Sequence, residues 1–257
     1  VNWATGIAQE MIDPPPGGAT EVEIGIFVLE INEIDEPTQT FGARCFIDLK
    51  WKDARASQGL EWKSGASKKK IFTEDGAREQ LKNIWWPDIE IANEVSPRQI
   101  ENRELIINSN GIVEYEEIFI TRFDVLLELK KFPFDQQTLK IEIESFAYDE
   151  DSLKFKPYEG KTGFDEHVQE HLVEWGPVMY PDDPKYYPEG PAYSLPTQPT
   201  KGKPGVTNKG VVPPIDPGFP WRLDIKHEKE IRSDSDFSKA VLSFRLQRDH
   251  FFYMWRI

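Results

Sequence analysis

One cysteine, Cys45, stands in 257 residues. A lone thiol excludes an intrachain disulfide framework and any zinc site built on cysteines, and it leaves the cellular compartment open. Cations are scarce as well, with 31 Lys and Arg against 45 Asp and Glu, a net charge of −14. That sign repels a phosphate backbone and releases none of its counterions, so nucleic acid is excluded as a partner. No run of about 18 apolar residues occurs, the length a membrane-spanning helix needs. The segment from Val1 to Met11 has neither the basic start nor the apolar stretch of a secretory leader. No GxSxG, phosphate-cradling glycine loop or EF-hand loop is present, and no internal repeat suggests a solenoid or propeller.

Packing material, by contrast, is plentiful. Hydrophobic residues make up 39% and aromatics 12%, including 8 Trp and 16 Phe, a composition that folds. The length suits one large all-β domain or two ordinary ones. Trp3 to Met11 reads as a short N-terminal helix ended by Pro14, Pro15, Pro16, Gly17 and Gly18, within an extension over 1–20. From Glu21 the period becomes two: Val22, Ile24, Ile26 and Val28 define a half-buried strand, and Leu29 breaks the alternation. A turn at Asp35, Glu36 and Pro37 leads into Phe41 to Trp51. Further strands are expected at 105–107, 112–123, 125–129, 139–146, 153–155, 223–231 and 239–248, with one helix over 73–82 capped by Thr73. About ten strands with turns between them predict an all-β protein, a twisted, immunoglobulin-like β-sandwich over 21–257.

The segment 176–220 departs from this pattern, holding 12 of the 20 prolines and 6 of the 17 glycines. Proline removes ladder donors and glycine raises backbone entropy, so an irregular excursion is expected, docked by residues such as Tyr180 and Tyr193. Its neighbour His167-Val168-Gln169-Glu170-His171 matches the HxxEH pattern of zinc hydrolases. A strand-rich context supplies neither the helix nor the third ligand such a site needs, and a solvated polar stretch is the plainer reading. Acidic runs at Asp149, Glu150 and Asp151, and at Glu142 and Glu144, would suit a hard cation or a solvated face.

Three segments form a more specific set. Trp85, Trp86, Pro87 and Asp88 make a rigid turn on a core indole, followed by Asn93. Phe132, Pro133, Phe134, Asp135, Gln136 and Gln137 put two apolar rings on a loop, where rings need something to cover them. Arg248 ends the last strand, three residues before the tail Phe251 to Ile257. That tail suits either a membrane entry or an ordinary final strand.

In order and spacing these segments resemble the extracellular domain of pentameric ligand-gated ion channels, the Cys-loop receptor superfamily. The WxPD turn is matched by Trp85, Pro87 and Asp88, and the FPFDQQ loop by Phe132 to Gln137. Val125 and Leu139 stand where animal members carry the bridging cysteines, as in bacterial members. The resemblance implies a homopentamer, a bacterial inner-membrane location with this domain facing outward, a membrane domain following Ile257, and no enzymatic activity or cofactor. It places a ligand site between subunits, with Phe146, Phe237 and Asn93 on one face and Phe46 on the other. Ala92 replaces an expected ring. Glu144, two residues before Phe146, implies a small primary amine as ligand, held by charge-assisted hydrogen bonds and ring faces. Coupling to the pore is implied for Asp35, Glu36, Phe132, Pro133, Phe134, Asp135 and Arg248. The competing readings are a zinc hydrolase on His167 and His171, and a soluble periplasmic binding module sharing the sandwich.

Overall fold

A computed structural model describes residues 12–62, 68–165, 168, 172, 174–177, 221–229 and 236–250. In chain order these form β1 (Thr20–Asp35), β2 (Thr40–Lys52), β3 (Lys69–Thr73), α1 (Glu74–Leu81), β4 (Ile89–Ile91), β5 (Gln99–Asn108) and β6 (Ile112–Asp124). Then follow β7 (Gln136–Ser145), β8 (Leu153–Pro157), β9 (Gly163–Phe164), β10 (Trp175–Pro177), β11 (Trp221–Lys229) and β12 (Asp236–Arg248). The expected N-terminal helix at Trp3 to Met11, the HxxEH histidines, the excursion beyond Pro177 and the aromatic tail lie outside the described residues.

The strands make two sheets. One runs β3-β5-β6-β2-β1-β8, with β9 also on β1; the other runs β10-β12-β7-β4, with β11 also on β12. Pairing is antiparallel except where β8 and β9 run parallel to β1. Among the described residues twelve strands replace the ten expected. The surplus lies in pieces such as β9, two residues long, too short to leave a periodic trace in sequence.

Period two builds the core from both sheets. Val22, Ile24, Ile26 and Val28 of β1 and Ala240 and Leu242 of β12 have no exposed surface. Phe41 locks the layers: its ring stacks on Phe123 at 4.9 Å and meets Phe244 edge-on at 5.8 Å. The break at Leu29 is a β-bulge, since Val28 pairs with Cys45 and Glu30 with Arg44, leaving Leu29 as the extra residue. Cys45 is wholly buried, and burial pushes its thiol up, out of reach of physiological deprotonation.

Two local expectations change. The helix behind Thr73 forms over 74–81, but the Thr73 hydroxyl makes no capping bond; Glu74 and Asp75 in the first turn complement the helix dipole instead. The expected strand over 125–129 is not a strand. Its donors go elsewhere: Val125 N to Gln39 O, Leu127 N to Gln39 Oε1 and Glu128 N to Gln137 Oε1. Buried Val125 and Leu127 alternate with exposed Leu126 at 89%, which copies strand period without a neighbouring strand.

The Trp85–Asp88 turn fixes the end of β7. Trp85, 1% exposed, lies edge-on to Trp51 at 6.1 Å and tilted against Tyr148 at 5.5 Å. Ser145 Oγ donates to Pro87 O at 2.9 Å and Phe146 N to Asp88 O at 3.0 Å. Phe146 therefore leaves the sheet at a set point with its ring 72% exposed. Truncation separates core from surface: Phe41→Ala is expected to lower unfolding stability by about 3–5 kcal/mol in urea titration. Phe146→Ala is expected to stay within about 0.5 kcal/mol, and a large loss there would show its ring to be a packing element.

Candidate functional site

Arg248 is a fully buried polar node. Its side chain has no exposed surface, yet it carries a full charge. Nε donates to Asp135 Oδ1 at 2.8 Å, Nη2 reaches Asp135 Oδ2 at 3.3 Å, and Nη2 also meets Glu36 Oε1 at 2.5 Å. The backbone joins in, with Arg248 N donating to Asp135 O at 3.2 Å. The guanidinium plane lies between two rings, 4.1 Å from the Trp175 centroid and 4.7 Å from that of Phe132. Of the two acids in the β1–β2 turn, Glu36 makes the contact, while Asp35 accepts from Thr38 N at 3.2 Å and shapes the turn.

Gln137 holds the other acid. Its Nε2 donates to Asp135 Oδ2 at 2.6 Å and to Glu128 O at 3.2 Å. Burial raises the Asp135 carboxyl, but hydrogen bonds from Arg248 and Gln137, with the Arg248 charge, outweigh it and keep the group below the usual carboxylate range. The Phe132–Pro133 peptide is cis. Phe132 and Phe134 are 47% and 59% exposed, so beside the buried ion pair the loop presents apolar rings outward.

A second group occupies the outer face of the smaller sheet. Glu144 of β7 pairs in register with Lys239 of β12 and Glu90 of β4. Period two puts Phe237 and Lys239 on one side of β12 and Glu142 and Glu144 on the matching side of β7, with Phe146 just beyond. Lys239 Nζ sits 3.1 Å from Glu142 Oε2 and 3.3 Å from Glu144 Oε2. Burial lowers the Lys239 ammonium, but the two carboxylates more than offset this, and it stays fully charged. Glu144 thus already holds an ammonium, one from its own chain.

Asn93 spends its amide on the backbone. Nδ2 donates to Asp124 O at 3.1 Å and Lys140 O at 2.9 Å, and Oδ1 accepts from Glu142 N at 3.0 Å. It clips the loop after β4 to β6 and β7.

Phe46 stands apart, on β2 of the other sheet between Phe27 of β1 and Ile118 of β6. Beside it, Lys161 Nζ lies 5.9 Å from the Phe46 ring, donates to Asp48 Oδ1 at 3.0 Å and reaches Glu116 Oε1 at 3.8 Å. Within one chain Phe46 lies on the larger sheet, Glu144 and Phe237 lie on the smaller, and Phe146 follows the end of β7.

A cavity of about 430 Å³ holds a group that sequence reasoning passed over. Glu117, 2% exposed, takes Arg98 Nε at 2.7 Å and Arg103 Nη2 at 3.3 Å, and accepts the Tyr115 hydroxyl. Burial, then the Glu117 charge, push the Tyr115 phenol up. The signal was available: Val113, Tyr115, Glu117 and Phe119 share the buried register of β6, where a glutamate is out of place. Among the described residues no group of three or more His, Cys, Asp or Glu is arranged to hold a metal ion.

Comparison with known proteins accounts for this arrangement. The neurotransmitter-gated ion-channel ligand binding domain family matches residues 9–175. A proton-gated ion channel of Gloeobacter violaceus is 32% identical over 136 residues, 52% of this chain and 35% of the relative. The gamma-aminobutyric acid receptor subunit theta of Mus musculus is 28% identical over 134 residues, covering 50% and 20% respectively. An alpha-type acetylcholine receptor subunit of Caenorhabditis briggsae is 25% identical over 158 residues, covering 60% and 29%. The chain thus spans about a third or less of the length of these relatives. A β-sandwich that carries the WxPD turn and the FPFDQQ loop, matched by the family across most of its length, belongs to the neurotransmitter-gated ion-channel ligand-binding domains.

Proposed function

We propose that this chain is the outward-facing ligand-binding domain of a bacterial homopentameric channel, without enzymatic activity, that takes a small primary amine between subunits. The observation that carries the reading is the division of the candidate rings between sheets. Glu144 and Phe237 share the outer face of one sheet, with Phe146 just past the end of β7, and Phe46 lies on the other, so a ring of subunits sets one face against its neighbour's other. A primary ammonium donates to Glu144 while its methylenes lie on the rings. Lys239 gives this site its threshold, because an incoming ammonium competes with one already in place.

Arg248 supports the coupling half of the proposal. It joins the last residue of β12 to the β1–β2 turn and the Phe132–Gln137 loop, whose exposed rings face away from the sandwich core. Ligand binding works through this node only by differing in affinity between two arrangements of the ring.

Two experiments test the reading on the complete channel. Glu144→Gln keeps shape but removes the anion, so calorimetry with propylamine is expected to show binding weakened by about 1.5–3 kcal/mol, and Phe146→Ala to weaken it as well. Lys239→Met frees Glu144 and is expected to tighten it. If all three variants bind every tested amine as the parent does, the amine site lies elsewhere. For coupling, Arg248→Ala is expected to abolish current while changing ligand affinity by only a small factor. Arg248→Lys is expected to recover little, since an ammonium lacks the planar fork that serves two acids. Normal currents in Arg248→Ala would remove the node from the gating path.

A further inference from the structure

Asp48 is the least comfortable charged group among the described residues. It is 3% exposed, and its Oδ2 is buried without any hydrogen-bond donor. Asp48 points to the side of β2 opposite the core positions Ile47 and Leu49, where solvent is kept off by the turn from Tyr158 to Gly163. That turn lies directly on β1. Tyr158 N donates to Ile24 O at 2.8 Å, and Ile26 N donates to Thr162 Oγ1 at 3.4 Å. Gly25, the register neighbour of Asp48, makes the approach possible: a Cβ there would stand 2.5 Å from Lys161 Cβ and 2.6 Å from Lys161 O.

We infer that Lys161 and Asp48 form a proton-operated latch, which closes the 158–163 turn over β1 and β2 when Asp48 takes up a proton and loosens it when Asp48 is ionised. The step is a simple protonation: one proton from solvent joins the Asp48 carboxylate, and Lys161 remains an ammonium throughout. Its 3.0 Å ion pair becomes a contact with a neutral acid, leaving Glu116, at 3.8 Å, as the charged group it next meets. The new O–H has an acceptor, because Glu116 lies within hydrogen-bonding reach of the Asp48 carboxyl. Protonation therefore removes a buried negative charge that the Lys161 ammonium offsets only in part.

The surroundings favour that proton. Glu114 and Glu116 approach from β6 and Glu23 from β1, against Lys161 and Lys50, and Lys50 is engaged by Glu23 at 2.8 Å. The Tyr158 ring, beneath both lysines at 4.8 and 5.7 Å, is pushed up by burial and stays a neutral phenol. Burial is the largest influence on Asp48 and raises it, Lys161 opposes, and the group comes to about 7. The sign follows from linkage. An acid raised on folding binds more protons native than unfolded, so its contribution to stability falls as pH climbs from the ordinary carboxylate range to about 7. Asp135, held low, changes its contribution only in more acidic solution, which keeps the two groups separable.

The test uses the 257-residue chain alone, with neither amine nor pore, so failure of the amine reading leaves it standing. Side-chain carboxyl NMR is expected to show Asp48 titrating near neutrality. Hydrogen-exchange protection at 158–163 is expected to rise several-fold between about pH 8 and about pH 6, after correction for intrinsic rates. Asp48→Asn should hold that turn at the closed level at both pH values and flatten the stability profile between them. Lys161→Met, which keeps the carboxyl but removes the cation that partly offsets its charge, should move the Asp48 midpoint higher and carry the change in protection with it. An Asp48 midpoint in the ordinary carboxylate range, or a pH-dependent turn that persists in Asp48→Asn, would overturn the latch.

Discussion

A guanidinium with no exposed surface must be fully partnered where it stands, and Arg248 is the constraint on which the lower half of this molecule depends. It takes one acid from the β1–β2 turn and another from the loop before β7, and lies between Trp175 and Phe132. Four pieces of chain far apart in sequence are thereby held at one point. Each has its own reason to be there: Gln137 fixes Asp135, Asp35 shapes the turn that presents Glu36, and β10 brings Trp175 alongside β12. Removing the arginine or either acid leaves buried charge short of a counterpart, an arrangement well suited to two discrete states and poorly suited to gradual distortion.

The same chemistry recurs at both candidate ligand faces in a weaker form. On the smaller sheet Lys239 spans Glu142 and Glu144; on the larger, Lys161 spans Asp48 and Glu116. In a chain carrying a net charge of −14, each lysine sits where strand register has put carboxylates side by side. Each such trio has one ammonium for two acids. A proton or an external ammonium is the species that would complete the balance. The Glu117 cluster is the reverse case, one carboxylate with two arginines and a phenol, and it is already satisfied.

Much of this was legible from residue order. Period-two apolar residues determined the strands β1, β2, β6, β7 and β12, because a strand with one buried face leaves no other pattern. Leu29 broke that alternation, and strand pairing in the structure makes the break a bulge. The rings and proline of the Phe132–Gln137 loop announced an exposed tip, and its aspartate followed by glutamine supplied the chemistry to bind Arg248. The resemblance to a receptor family rested on these local features, and the family match agrees with it.

Tertiary structure decided the rest, since register and burial belong to pairs of segments and no single stretch encodes them. The run over 125–129 alternates like a strand, but its backbone donors are taken by Gln39 and Gln137, which only the folded chain brings near. Glu144 reads as a free acid until β12 sets Lys239 against it. Asn93 reads as a ligand-facing amide until three backbone groups claim it. Asp48 sits on the polar side of an alternating strand, where sequence alone puts it in water. A glycine on β1 lets the 158–163 turn close over it, and exclusion of solvent turns an ordinary carboxylate into one poised near neutrality.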